Sequence, residues 1–198
     1  MFQSELNFAH INQPKQGDLK IPTTIYFMSD KYLFCIESIL KSLNTAANIL
    51  EKAQAWAKES GKSEEELLQA RLAPDMLPLI KQITILSDNA KGVASRLSGT
   101  ENPKYEDNES TFAELIERIK KTREFILSID QQEYTDAHQQ KIVMPYIPDK
   151  FQSAEDYARD YALPNFCFHL VTTYAILRNQ GMPIGKMDYI GSLNLQDL

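Results

Sequence analysis

Between residues 29 and 59, the apolar side chains Leu33, Ile36, Leu40, Leu43, Ala47 and Leu50 recur at alternating steps of three and four. That rhythm matches the pitch of an α-helix and gathers the six onto one stripe. A long helix with one apolar stripe cannot hide it alone, so the chain must supply partner helices. Ser29 is the expected N-cap of this first helix, and the turn from Gly61 to Ser63 ends it. Ser63 with Glu66 reads as a capping box for a short helical piece through Gln69.

The partners follow in order. A second long helix is expected between Asp75 and Gly99, with Asp75 as cap and Pro78 in the first turn. Gly99 suits its C-terminal stop. Met76, Leu79, Ile80, Ile83, Leu86, Ala90, Val93, Ala94 and Leu97 form its core face. The polar connector ENPKYEDNES leads to Thr111 and Glu114, a second capping box. It opens a third helix to about Ile129, with Leu115, Ile119, Thr122, Phe125 and Ile126 turned inward. Residues 130 to 152 break the pattern. KIVMPYIPDKF, with two prolines, predicts a loop carrying a small extended or hairpin element. Ser153 with Asp156 caps a last helix to about Asn179, in which Pro164 should remove a hydrogen bond and bend the chain.

Four long amphipathic segments predict an all-α four-helix bundle with a kinked last helix. The expected domain covers 29–190. It is preceded by an irregular arm, 1–28, and followed by an irregular tail, 191–198; the tail region folds back through Tyr189 and Ile190.

Composition narrows the function. The net charge is −6 and basic residues are scattered, which argues against a nucleic-acid surface. No run approaches the roughly eighteen apolar residues that a membrane span needs. The N-terminus lacks the basic start and apolar core of a signal peptide. Cys35 and Cys167 stand apart in apolar surroundings, with no CxxC spacing, and read as buried free thiols. A cytoplasmic protein is the expectation.

The residues with chemical potential are few. At about 100° per residue, Asn165, His169 and Thr172 share one stripe of the last helix. On the second helix Asp75, Gln82 and Asn89 share another, at a depth where Gln82 can meet Asn165 and His169 across the bundle. A polar cluster of this kind serves either as a ligand site or as the wet side of a core helix. Arg71 can take a carboxylate in two-pronged fashion or tie to Asp75 across the LAP turn. Tyr157 and Tyr161 can offer hydroxyls near the bend. Asp88 phases toward solvent. His10 and His138 fall in polar segments, and GMPIG lacks the spacing of a phosphate loop. The SEEE and YEDNE clusters suit helix starts.

The runs ARLAPDMLPLIKQITILSDNAKGVASRL, TFAELIERI and DYALPNFCFHLVTTYAILRNQGMPIGKMDY resemble an uncharacterised bacterial family of DinB-like proteins, over roughly residues 29–190. The resemblance to the wider DinB and YfiT-like group implies a four-helix bundle, often a homodimer. It also implies a divalent metal held by one His of the second helix and an HxxxH of the fourth. Some members are thiol-dependent transferases that use bacillithiol or mycothiol. Here the metal positions fall on Gln82, Asn165 and His169, so two imidazoles are replaced by neutral amides. Amides bind zinc or nickel weakly. The expectation is therefore no resident cofactor, with at most a loosely held divalent metal at those three positions. What remains is a small-molecule or thiol site of Gln82, Asn165 and His169, rimmed by Arg71 and Asp75, with His169 as the catalytic candidate. A non-catalytic dimer and a metal-dependent enzyme are the alternatives.

Overall fold

A computed structural model describes residues 31–135, 141–144 and 147–196. The cap at Ser29, the arm with His10, and His138 lie outside them. The compact unit Asp30–Gly191 contains every regular element among the described residues; in the other unit, residues 192–196 carry none.

Four helical rods make the bundle. Helix α1 is Lys31–Ser60, α3 is Leu79–Ser98 and α4 is Phe112–Ser128. The fourth rod is composite. A single turn, α6 (Ala154–Asp156), continues through a π-helical turn, Tyr157–Ala162, into α7 (Leu163–Asn179). Around the bundle α1 lies between α4 and α7, and α3 closes the ring on the same two neighbours. Short helices α2 (Glu64–Gln69), α5 (Gln131–Thr135) and α8 (Lys186–Ile190) join or flank the rods. The expected hairpin element is an antiparallel pair, β1 (Lys141–Met144) and β2 (Ile147–Ser153), with Val143 opposite Phe151.

The caps act as their residue types require. The Thr111 hydroxyl accepts from the Glu114 amide, and the Glu114 carboxylate accepts from the Thr111 amide. Ser63 and Ser153 cap α2 and α6. Gly99 ends α3 in the left-handed region at φ 82°, where a side chain would be strained. The Glu64 carboxylate also accepts from the Phe112 amide, joining the start of α2 to that of α4.

Several expectations are corrected. Helix α3 starts at Leu79, not Asp75, because Pro78 holds the extended conformation of an N-cap and residues 73–76 close a separate turn. The buried face of α1 runs through Ile36, Ile39, Leu43, Ala46, Leu50, Ala53 and Ala57, whereas Leu40 and Ala47 are only half-buried. Apolar residues occupy both registers in this segment, and packing against α4 and α7 selected between them. The irregularity of the last rod begins before Pro164. In the π turn the Leu163 amide bonds to the Ala158 carbonyl, five residues back, and Pro164 follows at the start of α7, where it is tolerated. Cys167 is exposed; only Cys35 is buried. The segment before the tail is helical at α8, held to α1 by a Lys52–Asp188 ion pair and to α7 by edge-on packing of Tyr189 on Tyr174.

The core is continuous. Tyr157, Phe112 and Phe166 are its largest fully buried side chains, with Leu43, Leu50, Leu79, Ile83 and Leu86 among them. Each such side chain contributes roughly 1.5–3 kcal/mol through removal from water.

Candidate functional site

Helices α3 and α7 pack side by side, and this brings Gln82 and His169 together. Both are buried, and His169 Nδ1 lies 2.8 Å from Gln82 Oε1. The other end of the Gln82 amide is anchored, because Nε2 donates to the Leu77 carbonyl at 3.0 Å. That anchor leaves Oε1 as the atom facing the ring, and an amide oxygen only accepts. Nδ1 must therefore carry the proton, and the lone pair sits on Nε2. Burial pushes the His169 pKa below its ordinary 6.5, which keeps the ring neutral. Among the described residues Nε2 has no hydrogen bond, and it is not one of the fully shielded unpartnered atoms, so it touches solvent. The neighbouring Phe168 ring meets the imidazole edge-on at 5.3 Å and is itself largely exposed. The site thus offers one neutral imidazole, fixed in one tautomer, with a free lone pair beside an aromatic rim.

The remaining sequence candidates are placed differently. Asn165 is half-buried one turn before His169 and makes no side-chain hydrogen bond among the described residues. Asn89, two turns beyond Gln82, has a shielded Oδ1 without a partner among the described residues. Arg71 and Asp75 are exposed, and the tie between them is not formed; Arg71 donates instead to the Met76 carbonyl at 2.9 Å. The Tyr157 hydroxyl is buried against Arg96 at 3.4 Å, so it is not presented to a ligand. Neither of two surface clefts, of about 370 Å³ and 220 Å³, is lined by Gln82, Asn165 or His169.

The donor set does not fit a divalent metal. Gln82 Oε1 is occupied by the imidazole that would have to be its fellow ligand. Asn165 adds only a second neutral amide. Among the described residues no three His, Cys, Asp or Glu side chains are grouped to hold an ion.

Sequence reasoning missed a second polar centre. Arg118 of α4 is buried, and its guanidinium reaches Asp88 at 2.8 Å, Glu109 at 2.8 Å, Asp107 at 3.1 Å and the Glu106 carbonyl at 3.0 Å. Lys91 joins through Asp88 at 3.2 Å, and Lys81 through Asp107 at 2.9 Å. Tyr105 lies under this group, its ring 4.3 Å from Lys121 and 5.5 Å from Arg118. The hydrogen bond from Lys81 holds the Asp107 carboxyl below the usual carboxylate range. Asp88 is thus half-exposed but paired, rather than simply solvated. The signal was available: Arg118 falls between Leu115, Ile119 and Thr122 on the inward stripe, where an unpaired charge would not be tolerated.

Comparison with known proteins adds three findings. The family model described as a domain of unknown function, DUF1993, matches residues 32–190. The crystal structure of a DinB family member protein from Shewanella denitrificans superposes with a TM-score of 0.80 at 32% sequence identity, over 84% of this chain and 95% of that one. No curated protein matches the chain. No helix among the described residues is long and apolar enough to cross a membrane.

Proposed function

The chain belongs to the DUF1993 family of DinB-like bundles, and from that premise we propose that it binds a small molecule beside His169, whose Nε2 acts as a base. The observation that carries this reading is the relay from the Leu77 carbonyl through Gln82 to His169 Nδ1. It has the form of a catalytic imidazole and its orienting partner: one nitrogen is fixed as a donor and the other is left free to accept a proton. A thiol co-substrate suits the site. Its proton passes to Nε2, and the thiolate sulfur then bonds to an electrophilic carbon of the second substrate as that carbon's leaving group, such as a halide, departs with the bonding pair. Gln82 is a positioning residue, and Asn165 lies on the same face to hydrogen-bond the ligand. Arg71 lines the cleft of about 370 Å³ instead, which Gln82, Asn165 and His169 do not border.

The test follows the His169 ring signals by NMR while bacillithiol, mycothiol, glutathione or cysteine is added, with turnover of a chlorodinitrobenzene electrophile measured in parallel. The expected result is a ring shift with at least one thiol and loss of turnover in His169→Ala. Ring signals unmoved by every thiol, with turnover unchanged in His169→Ala, would refute the assignment.

A second reading, a non-catalytic homodimer, is favoured by Phe168 and Val171, both exposed on α7. Sedimentation would show a dimer that Phe168→Glu with Val171→Glu dissociates. A single monomeric species throughout the micromolar range excludes it.

A further inference from the structure

The His169 relay is anchored on the Leu77 carbonyl, and that carbonyl sits on a segment that packing does not hold. Pro78 and Leu79 are buried at the start of α3, whereas none of residues 71–77 is buried. Leu72 and Leu77 are exposed, and Leu77 lines the cleft of about 370 Å³. A loop with so little burial moves freely unless its backbone is tied. This one is tied by hydrogen bonds. The Leu79 amide donates to the Ala70 carbonyl at 3.0 Å, which closes the loop, and the Met76 amide donates to the Ala73 carbonyl at 3.0 Å. A side chain adds another tie: Arg71 Nη1 reaches across the loop to the Met76 carbonyl at 2.9 Å. On the far flank Pro78 restricts Leu77 to extended backbone, as a proline does to the residue before it. The Leu77 carbonyl is thus held between Arg71 on one side and Pro78 on the other.

The consequence runs along one line of contacts. Arg71 fixes the Met76 carbonyl, the next carbonyl takes Gln82 Nε2 at 3.0 Å, and Gln82 Oε1 faces His169 Nδ1 at 2.8 Å. If the Leu77 carbonyl turns away, nothing in the relay distinguishes the two ends of the Gln82 amide. The amide can then flip and present an N–H to the ring, which moves the imidazole proton to Nε2. We propose that Arg71 is a positioning residue for His169: by tying down the Met76 carbonyl it holds the Leu77 carbonyl, and with it the imidazole tautomer. The inference rests on the relay that carries the proposed function, and it requires no contact between Arg71 and a ligand.

The experiment reads the two ring-nitrogen shifts of His169 by NMR in the full chain, at mildly alkaline pH and with no substrate present. Together they give the ratio of the Nε2–H to the Nδ1–H tautomer, and the natural chain should show the Nδ1–H form nearly alone. In Arg71→Met, a change at an exposed side chain, the ratio should rise about fivefold, the effect of one ordinary hydrogen bond. Arg71→Lys keeps a charged donor and should restore most of the natural ratio. Lys81→Gln removes a cation from the same cleft without touching the loop's ties, and should leave the ratio unchanged. A ratio unmoved in Arg71→Met, a rise as large in Lys81→Gln, or no restoration by lysine overturns the proposal. A fixed ratio in Arg71→Met, with thiol turnover still lost in His169→Ala, overturns this inference alone. A shifted ratio with turnover unchanged in His169→Ala removes the base and leaves the role of Arg71 standing.

Discussion

Replacing Gln82 with methionine removes the amide while nearly conserving the length of the side chain. It leaves the His169 Nδ1–H without its acceptor at a buried position, and it frees the Leu77 carbonyl. A buried donor left unmet costs about 1–3 kcal/mol, whereas the Leu77 carbonyl, on a residue that is 46% exposed, can turn to water and adds little. The expected loss is therefore about 2 kcal/mol, measured by urea denaturation with far-UV circular dichroism. The sharper readout is the double-mutant cycle. His169→Phe alone orphans Gln82 Oε1, but the pair Gln82→Met with His169→Phe leaves neither partner stranded. The double variant should lose less than the sum of the singles, with a coupling of at least about 1 kcal/mol, as contacting residues show. Additive singles, or a Gln82→Met loss below about 0.5 kcal/mol, would show that the relay is not formed, and the tautomer argument would go with it.

Other outcomes follow from the same geometry. His169 has its pKa lowered by burial, so the unfolded chain binds more protons at mildly acid pH. Its contribution is complete above 6.5 and is lost as pH falls through the lower folded value, which should appear as declining stability below that pH; His169→Phe should flatten this slope. Arg118→Met should destabilise by about 2–4 kcal/mol. The range sits toward the lower part of what broken buried pairs lose, because Asp88 and Asp107 remain partly solvated while Glu109 does not. A loss under about 1 kcal/mol would show the cluster to be surface ornament. Iodoacetamide should label Cys167 in the native protein and spare Cys35, whose thiol is buried and pushed up to about 12; equal labelling would contradict the placement of α1. Thr111→Ala should cost about 1 kcal/mol through loss of the α4 capping box, read by the same denaturation assay.

Helix identity was written locally. Stripes at helical spacing, the capping box at Thr111, the cap at Ser153 and the stop at Gly99 each depend on residues within a turn or two, so the four rods and several of their ends were readable from the chain alone. Even there, local chemistry ran short where two readings were equally good. Asp75 and Pro78 both suit an N-cap, and α1 carries apolar residues on two overlapping stripes. The site lay one level further away. Helical phase put Gln82 on the edge of its rod and His169 on another, but their 2.8 Å contact depends on the axial offset of α3 against α7. That offset is set by side-chain packing along the whole interface. The Leu77 carbonyl that fixes the imidazole tautomer was invisible for the same reason, as was the convergence of Asp88, Asp107 and Glu109 on Arg118 from three segments. Periodicity orders residues around one axis; only the packed bundle sets their distances across two.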